Sequence, residues 1–178
     1  MRHVAPVRKA LGVPTTFNFL GPLANPAQPI ATSLGVANAS VAPLMAAEVA
    51  ERGRTALVFR GDDGLDELTT TGESTVWEVL PGRVTEFRLD PTELGLKQSL
   101  LDDLIGGDAH ENAETARALF AGARGHKLDA IRDIVALNAA GGVVAYELAK
   151  DPSRAEVPLV DRFAHAIERA FEAIDSGA

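Results

Sequence analysis

Thr55-Ala56-Leu57-Val58-Phe59 is a short, continuous apolar run, the pattern of a strand covered on both faces. Upstream, Ile30 to Val36 reads as a second buried strand. Between them, Ser40 is placed to cap a helix through Arg52, with Val41, Leu44, Met45 and Val49 inward and Gly53 as the C-terminal stop. Strand, helix, strand is a βαβ unit, which predicts parallel strands joined by a right-handed crossover. Downstream, Thr75 to Leu80, the turn Pro81-Gly82 and Val84 to Leu89 read as a hairpin. The expected fold class is α/β: a mostly parallel sheet flanked by helices, with an added β-hairpin.

Beyond the hairpin the pattern turns helical. Asp108 and Glu111 have the spacing of a capping box, opening a helix to about Ala121. A longer helix is predicted from about Leu128 to Ala149. Its stretch Ile134 to Tyr146 is apolar nearly all round and rich in Ala and Gly, so it is expected among the most buried elements. Pro158 opens a last helix with Val160, Phe163, Ile167, Phe171 and Ile174 on one face. At the other end, Val4, Val7 and Leu11 stand at helical spacing, and Thr15 to Pro26 is irregular and broken by Gly and Pro.

With 178 residues and 46 % hydrophobic composition, the chain is long enough for one domain with a core. Zero Cys excludes disulfides, thiolate metal sites and a Cys nucleophile. No apolar run reaches the length of a bilayer span, and no h-region follows Met1, so the expected compartment is the cytoplasm, with no membrane partner. The charge is acidic, 17 Lys+Arg against 25 Asp+Glu, or −8 with His neutral. That opposes nonspecific nucleic-acid binding, which needs a basic face. An aromatic content of 5 % also argues against a stacking platform. A small anionic substrate stays open, because a few Arg or Lys can form a local positive pocket.

The segment carrying most chemistry is Gly61-Asp62-Asp63-Gly64-Leu65-Asp66-Glu67-Leu68-Thr69-Thr70-Thr71-Gly72. It leaves the C-terminal end of the apolar strand, where open α/β sheets place ligands. Asp62, Asp63, Asp66 and Glu67 repel one another unless solvated or neutralised by a cation. Mg²⁺ suits them, as a hard ion held by one or two carboxylates with substrate phosphates completing its octahedron. A solvated acidic turn, with Gly64 at positive φ, is the other reading, and the residues alone leave both open. Gly64 occupies a position where an EF-hand needs a ligand, so a Ca²⁺ module does not fit. Arg2 and Arg8 could each pin a carboxylate through a fork, or stand as ordinary surface arginines. Gly106-Gly107-Asp108 lies between helical segments and suits a helix stop and N-cap better than a phosphate loop. His3, His110, His126 and His165 lack zinc spacing. Asn138, within the apolar helix, reads as a hydrogen-bonded core residue.

Three segments together resemble the anthranilate phosphoribosyltransferase family, in order and spacing. They are Met1-Arg2-His3-Val4-Ala5-Pro6-Val7-Arg8-Lys9, Phe17-Asn18-Phe19-Leu20-Gly21-Pro22-Leu23-Ala24-Asn25-Pro26 and Gly61-Asp62-Asp63-Gly64-Leu65-Asp66-Glu67. Gly106-Gly107-Asp108-Ala109, Leu137-Asn138-Ala139-Ala140 and Ala173 to Ala178 are similar too. The resemblance implies a phosphoribosyltransferase/nucleoside-phosphorylase-type domain acting in tryptophan biosynthesis. There the amine of anthranilate attacks C1 of phosphoribosyl diphosphate and displaces diphosphate. It further implies Asp66 and Glu67 as carboxylates for Mg²⁺, Arg8 as the anthranilate-binding arginine, and Gly21 and Pro22 as the lining of the aromatic pocket. No residue is implied as acid, base or nucleophile. The family's Gly-Thr-Gly-Gly-Asp, Asn-x-Ser-Thr and Lys-His-Gly segments do not occur in these residues. The resemblance therefore implies that residues 1–178 are a single C-terminal α/β catalytic-domain portion without the N-terminal helical domain, through which the longer parent would form a homodimer. Such a portion is expected to be inactive alone. A pyrimidine-type nucleoside phosphorylase and a non-enzymatic nucleic-acid-binding relative of the same fold are the alternatives. The tandem Asp66-Glu67 argues against the first and the charge against the second.

Overall fold

The structure, a computed structural model, describes residues 23–176 together with residues 10, 12 and 21. In chain order these form β1 (Ala31–Gly35), α1 (Ala42–Glu51), β2 (Thr55–Gly61), β3 (Ser74–Leu80), β4 (Arg83–Leu89), a 3-10 turn (Pro91–Leu94) and α2 (Leu101–Leu104). Then follow α3 (Ala109–Phe120), α4 (His126–Lys150), a second 3-10 turn (Pro152–Glu156) and α5 (Leu159–Ser176). The sheet order is β1-β2-β3-β4.

The apolar run of β2 is split by the pleat between two layers. Ala56 and Val58 join Trp77 and Val79 of β3 beneath α1. Leu57 and Phe59 join Val76 beneath α4 and α5. A strand that must satisfy both faces has no room for polar alternation, which explains the unbroken run. β1 presents Ala31, Ser33 and Gly35 to the α4 side. A Cβ built on Gly141 of α4 would stand 3.1 Å from Leu68 Cδ1 and 3.5 Å from Ser33 Oγ. Small residues on both elements let the helix lie close over the ends of β1 and β2.

The α/β architecture and the hairpin agree with the sequence reading. β1 and β2 are parallel, from Ala31 opposite Thr55 to Gly35 opposite Phe59. The expected mostly parallel character stops there: β2–β3 and β3–β4 are antiparallel, so the described sheet is mixed. The reason is topological, since the hairpin occupies the place beside β2 where another crossover strand would have paired in parallel. Gly82, at φ +71, makes the tight turn, and its N–H reaches the Ala50 carbonyl at 3.0 Å, tying the hairpin to α1.

Two details of α1 differ from expectation. Leu44 is 68 % exposed, and the buried stripe is Ala42, Met45, Ala46, Val49 and Ala50. Alanines complete the inward face, so the phase is shifted from one drawn through the large residues alone. Ser40 does not cap the helix: Val41 is the N-cap residue, with no side-chain cap. Asn38 organises the entry instead, its carbonyl accepting from Val41 N and Ala42 N at 3.0 Å each and its Oδ1 from Ser40 N at 3.0 Å.

Asp108 caps α3 as expected. Its Oδ1 accepts from His110 N at 2.8 Å and Glu111 N at 2.9 Å, while Glu111 Oε2 accepts from Asp108 N at 2.8 Å. α4 buries Ala136, Leu137, Ala140, Gly141, Val144, Ala145 and Leu148. It is not covered all round, because Val135 and Tyr146 are exposed. On α5, Phe163, Ile167 and Ile174 are buried as expected, with Val160 and Phe171 partly so. Within this apolar layer Arg162 meets Glu78 of β3, each 3 % exposed, at 2.5 Å.

Candidate metal and ligand site

The loop after β2 divides its four carboxylates by function. Asp62 is engaged by Arg88 of β4, whose Nη1 donates to Oδ1 at 3.1 Å and whose Nη2 pairs with Oδ2. The same guanidinium holds Glu73 and donates to Thr75 Oγ1 at 2.6 Å. The hydrogen bond from Arg88 keeps the Asp62 carboxyl below the ordinary aspartate range. The Arg88 pKa is raised in turn, chiefly by its hydrogen bond to Asp62.

Asp63 is a brace inside the loop. Its Oδ2 accepts from Thr69 Oγ1 at 2.5 Å and Thr71 Oγ1 at 2.8 Å, and its Oδ1 from Leu65 N at 3.0 Å. Partial burial alone would push its pKa up. The hydrogen bonds from Thr69, the Leu65 amide and Thr71 outweigh that and leave it lowered. Gly64 closes the turn at φ +95, its N–H on the Gly61 carbonyl at 3.0 Å. Thr70 anchors the far side through Ser99, Oγ1 to Oγ at 3.1 Å. The Thr-rich run is thus the scaffold of the loop.

Asp66 and Glu67 remain. Both are exposed, and among the described residues neither side chain takes part in a hydrogen bond or ion pair. They form the wall between two depressions. One, of about 460 Å³, is lined by Leu65, Leu104, Leu119, Phe120 and Val135 among others. The other, of about 400 Å³, lies at the carboxyl ends of the parallel strands and is lined by Ser33, Gly35, Phe59, Ile134, Val135 and Asn138. Two carboxylates facing a groove suit a hard divalent cation that a phosphate-bearing ligand helps to coordinate. Among the described residues, no group of three or more His, Asp or Glu converges to complete a protein cage.

The backbone carrying the pair is pinned from both sides. A Cβ on Gly35 would overlap the carbonyl oxygen of Asp66, so only glycine lets the loop cross the end of β1. From α4, Asn138 reaches Leu68: Oδ1 accepts from Leu68 N at 3.0 Å and Nδ2 donates to Leu68 O at 2.8 Å. The sequence reading of Asn138 as a satisfied core residue holds. What it missed is that the partner is the residue after Glu67. Gly35, at the end of an apolar strand, was the sequence signal of a close backbone approach.

Of the other residues singled out for the site, Arg8 and Pro22 lie outside the described residues. Gly21 is described and lines neither depression. Its carbonyl accepts from Ala24 N at 3.2 Å, and nearby Leu23 O accepts from Arg52 Nη1 at 2.9 Å, beside the C-terminal end of α1.

A mixed sheet between helical layers, with two carboxylates at the carboxyl ends of its parallel strands that no described residue engages, defines an α/β domain with a ligand groove of the open-sheet kind. The glycosyl transferase family, a/b domain, matches residues 1–178, and the chain belongs to that family. It is 56 % identical over 176 residues to the anthranilate phosphoribosyltransferase of Leifsonia xyli subsp. xyli, covering 99 % of this chain and 49 % of that protein. The enzyme of the same name from Arthrobacter sp. is 52 % identical over 177 residues, covering 99 % and 48 %. Among solved structures, anthranilate phosphoribosyltransferase from Saccharomyces cerevisiae in complex with PRPP and Mg superposes with a TM-score of 0.80 at 31 % identity, covering 99 % of this chain and 46 % of that one. The Thermus thermophilus enzyme gives a TM-score of 0.73 at 41 % identity, covering 99 % and 50 %. The chain spans about half the length of the curated relatives it matches.

Proposed function

We propose that this chain is the C-terminal α/β portion of an anthranilate phosphoribosyltransferase, supplying the metal wall of a site that joins phosphoribosyl diphosphate to the amine of anthranilate. The observation that carries the proposal is the division of labour in one loop. Asp62 and Asp63 are consumed by Arg88, Thr69 and Thr71, leaving Asp66 and Glu67 turned to the groove. Relatives of the chain are named for this reaction, and the Saccharomyces cerevisiae enzyme is solved with PRPP and Mg.

When bound, Mg²⁺ would neutralise charge on the departing diphosphate. Asp66 and Glu67 would hold it at the carboxyl ends of β1 and β2. Asp62 stays tied to Arg88, so it does not compete for the ion. Arg8 would clamp the anthranilate carboxylate through a bidentate fork, and Gly21 with Pro22 would line the aromatic slot. That assignment rests on the resemblance of their segments. The remaining positioning of the diphosphate belongs to the half of the relatives' length that this chain does not span. The proposed setting is cytoplasmic, with small-molecule substrates, no nucleic-acid partner and a homodimeric parent.

The test is a chimera joining residues 1–178 to the amino-terminal half of the Leifsonia xyli enzyme, assayed by loss of anthranilate fluorescence with phosphoribosyl diphosphate and Mg²⁺. Turnover is expected from the chimera and none from residues 1–178 alone. Asp66→Asn with Glu67→Gln should lower chimera turnover by at least about two decades, the scale of losing one well-placed electrostatic contact. A double variant that keeps wild-type turnover at saturating Mg²⁺ defeats the metal assignment.

A further inference from the structure

Asn138 does more than satisfy its own polarity. Its side-chain amide makes both bonds that a neighbouring strand would offer to Leu68, accepting from the N–H at 3.0 Å and donating to the C=O at 2.8 Å. The second amide hydrogen goes to the Ile134 carbonyl at 3.0 Å, one turn back along α4. All three bonds are made to backbone, so the amide has one orientation that uses both its donors. Leu68 itself is fully buried, and its Cδ1 rests against the helix at Gly141. The peptide linking Glu67 to Leu68 and the peptide after it are therefore fixed to α4. On the other side, the Asp66 carbonyl occupies the space that a side chain at Gly35 would need.

We infer that Asn138 is a positioning residue for the metal-binding pair, setting the direction of the Asp66 and Glu67 carboxylates by clamping the backbone immediately after them. This inference rests on the reading of Asp66 and Glu67 as the Mg²⁺ carboxylates. The physical reason is separation of tasks. Exposed carboxylates on a free loop would repel each other and spread, whereas a pair on a pinned backbone keeps a fixed opening for a cation. A merely structural asparagine would affect melting but not the affinity of the folded chain for metal.

Mn²⁺, standing in for Mg²⁺, reports on the site by electron paramagnetic resonance without any turnover. The experiment titrates Mn²⁺ into the chimera of residues 1–178 with the Leifsonia xyli amino-terminal half, inorganic diphosphate present, for the unsubstituted chimera (wild type), D66N/E67Q, N138L and N138S, well below each melting temperature. Leu removes all three bonds at similar volume, and Ser adds no bulk beneath Leu68. Binding should be lost in D66N/E67Q and weakened about 10–100-fold in N138L and N138S, the usual cost of removing a supporting partner of metal ligands. Binding equal in D66N/E67Q and wild type would overturn the metal reading, and this inference with it. Binding lost in D66N/E67Q yet unchanged in N138S, with cooperative melting, would overturn the inference alone. If N138L melts without cooperativity, N138S decides.

Discussion

Asp63 and Asp66 stand three residues apart and face opposite demands. The first is fastened by two threonine hydroxyls and a backbone amide, and the second projects into the groove. Because the Asp63 carboxyl titrates below the ordinary range, its stabilisation is complete above the unfolded-state pKa of about 3.9 and is lost as pH falls through the lower folded-state value. Asp62, held by Arg88, adds stability with the same sign. Asp63→Asn should therefore melt below wild type at pH 7, with the gap closing as the pH drops below about 4. Melting curves from pH 7 to 2.5 test this, and a constant offset throughout would contradict it. The acidic cluster itself was legible in the residues, but which members brace the loop was not, and only the family resemblance set Asp66 and Glu67 apart. That distinction needs Arg88, Thr69 and Thr71 in three dimensions. A run of like charges shows only that something must relieve them.

Adjacent glycines in α4 make opposite predictions. A Cβ on Gly141 would press on buried Leu68, while one on Gly142 would meet nothing within 4 Å. Gly142→Ala should stabilise the chain by about 0.5–1 kcal/mol through helix propensity. Gly141→Val should destabilise it by about 1–3 kcal/mol through overpacking. Chemical denaturation of the two variants compares them directly. The buried Arg162–Glu78 pair invites a second test on the contact between α5 and β3. Arg162 Nε donates to Val157 O at 3.0 Å, while Nη2 finds no protein partner among the described residues. Arg162→Met alone should cost about 3–5 kcal/mol by stranding Glu78, and adding Glu78→Leu should recover most of it. A double variant as unstable as the single one would show that the pair itself is needed. At this scale the sequence was informative where the pattern is local. The β2 run, the Pro81-Gly82 turn and the Asp108–Glu111 box all landed in place. It failed where pairing is remote: Glu78 passed unremarked within the hairpin strand, because its partner Arg162 stands 84 residues away. Leu44 failed for another reason: small alanines carry the inward stripe of α1.

Across the whole molecule, α4 is the element on which the sheet, the acidic loop and α5 all rest. No helix among the described residues is long and apolar enough to cross a membrane. Several large apolar side chains nevertheless stay exposed around the larger depression, including Leu65, Phe120 and Val135. The Asn138–Leu68 bonds bridge 70 residues of sequence, and that distance has a temporal meaning. Contacts so far apart pay their loop-closure entropy before they return any stabilisation, so they form late. The β3–β4 hairpin can assemble within microseconds, whereas the Asn138 bonds to the backbone after Glu67 form only when α4 docks. During synthesis Leu68 is made 70 residues before the Asn138 that holds it. In stopped-flow refolding, Mn²⁺ uptake should follow the last kinetic phase and not the rise of far-ultraviolet helix signal. If Asp66 and Glu67 hold the cation as proposed, its capture would report that the contact of α4 with the loop has closed.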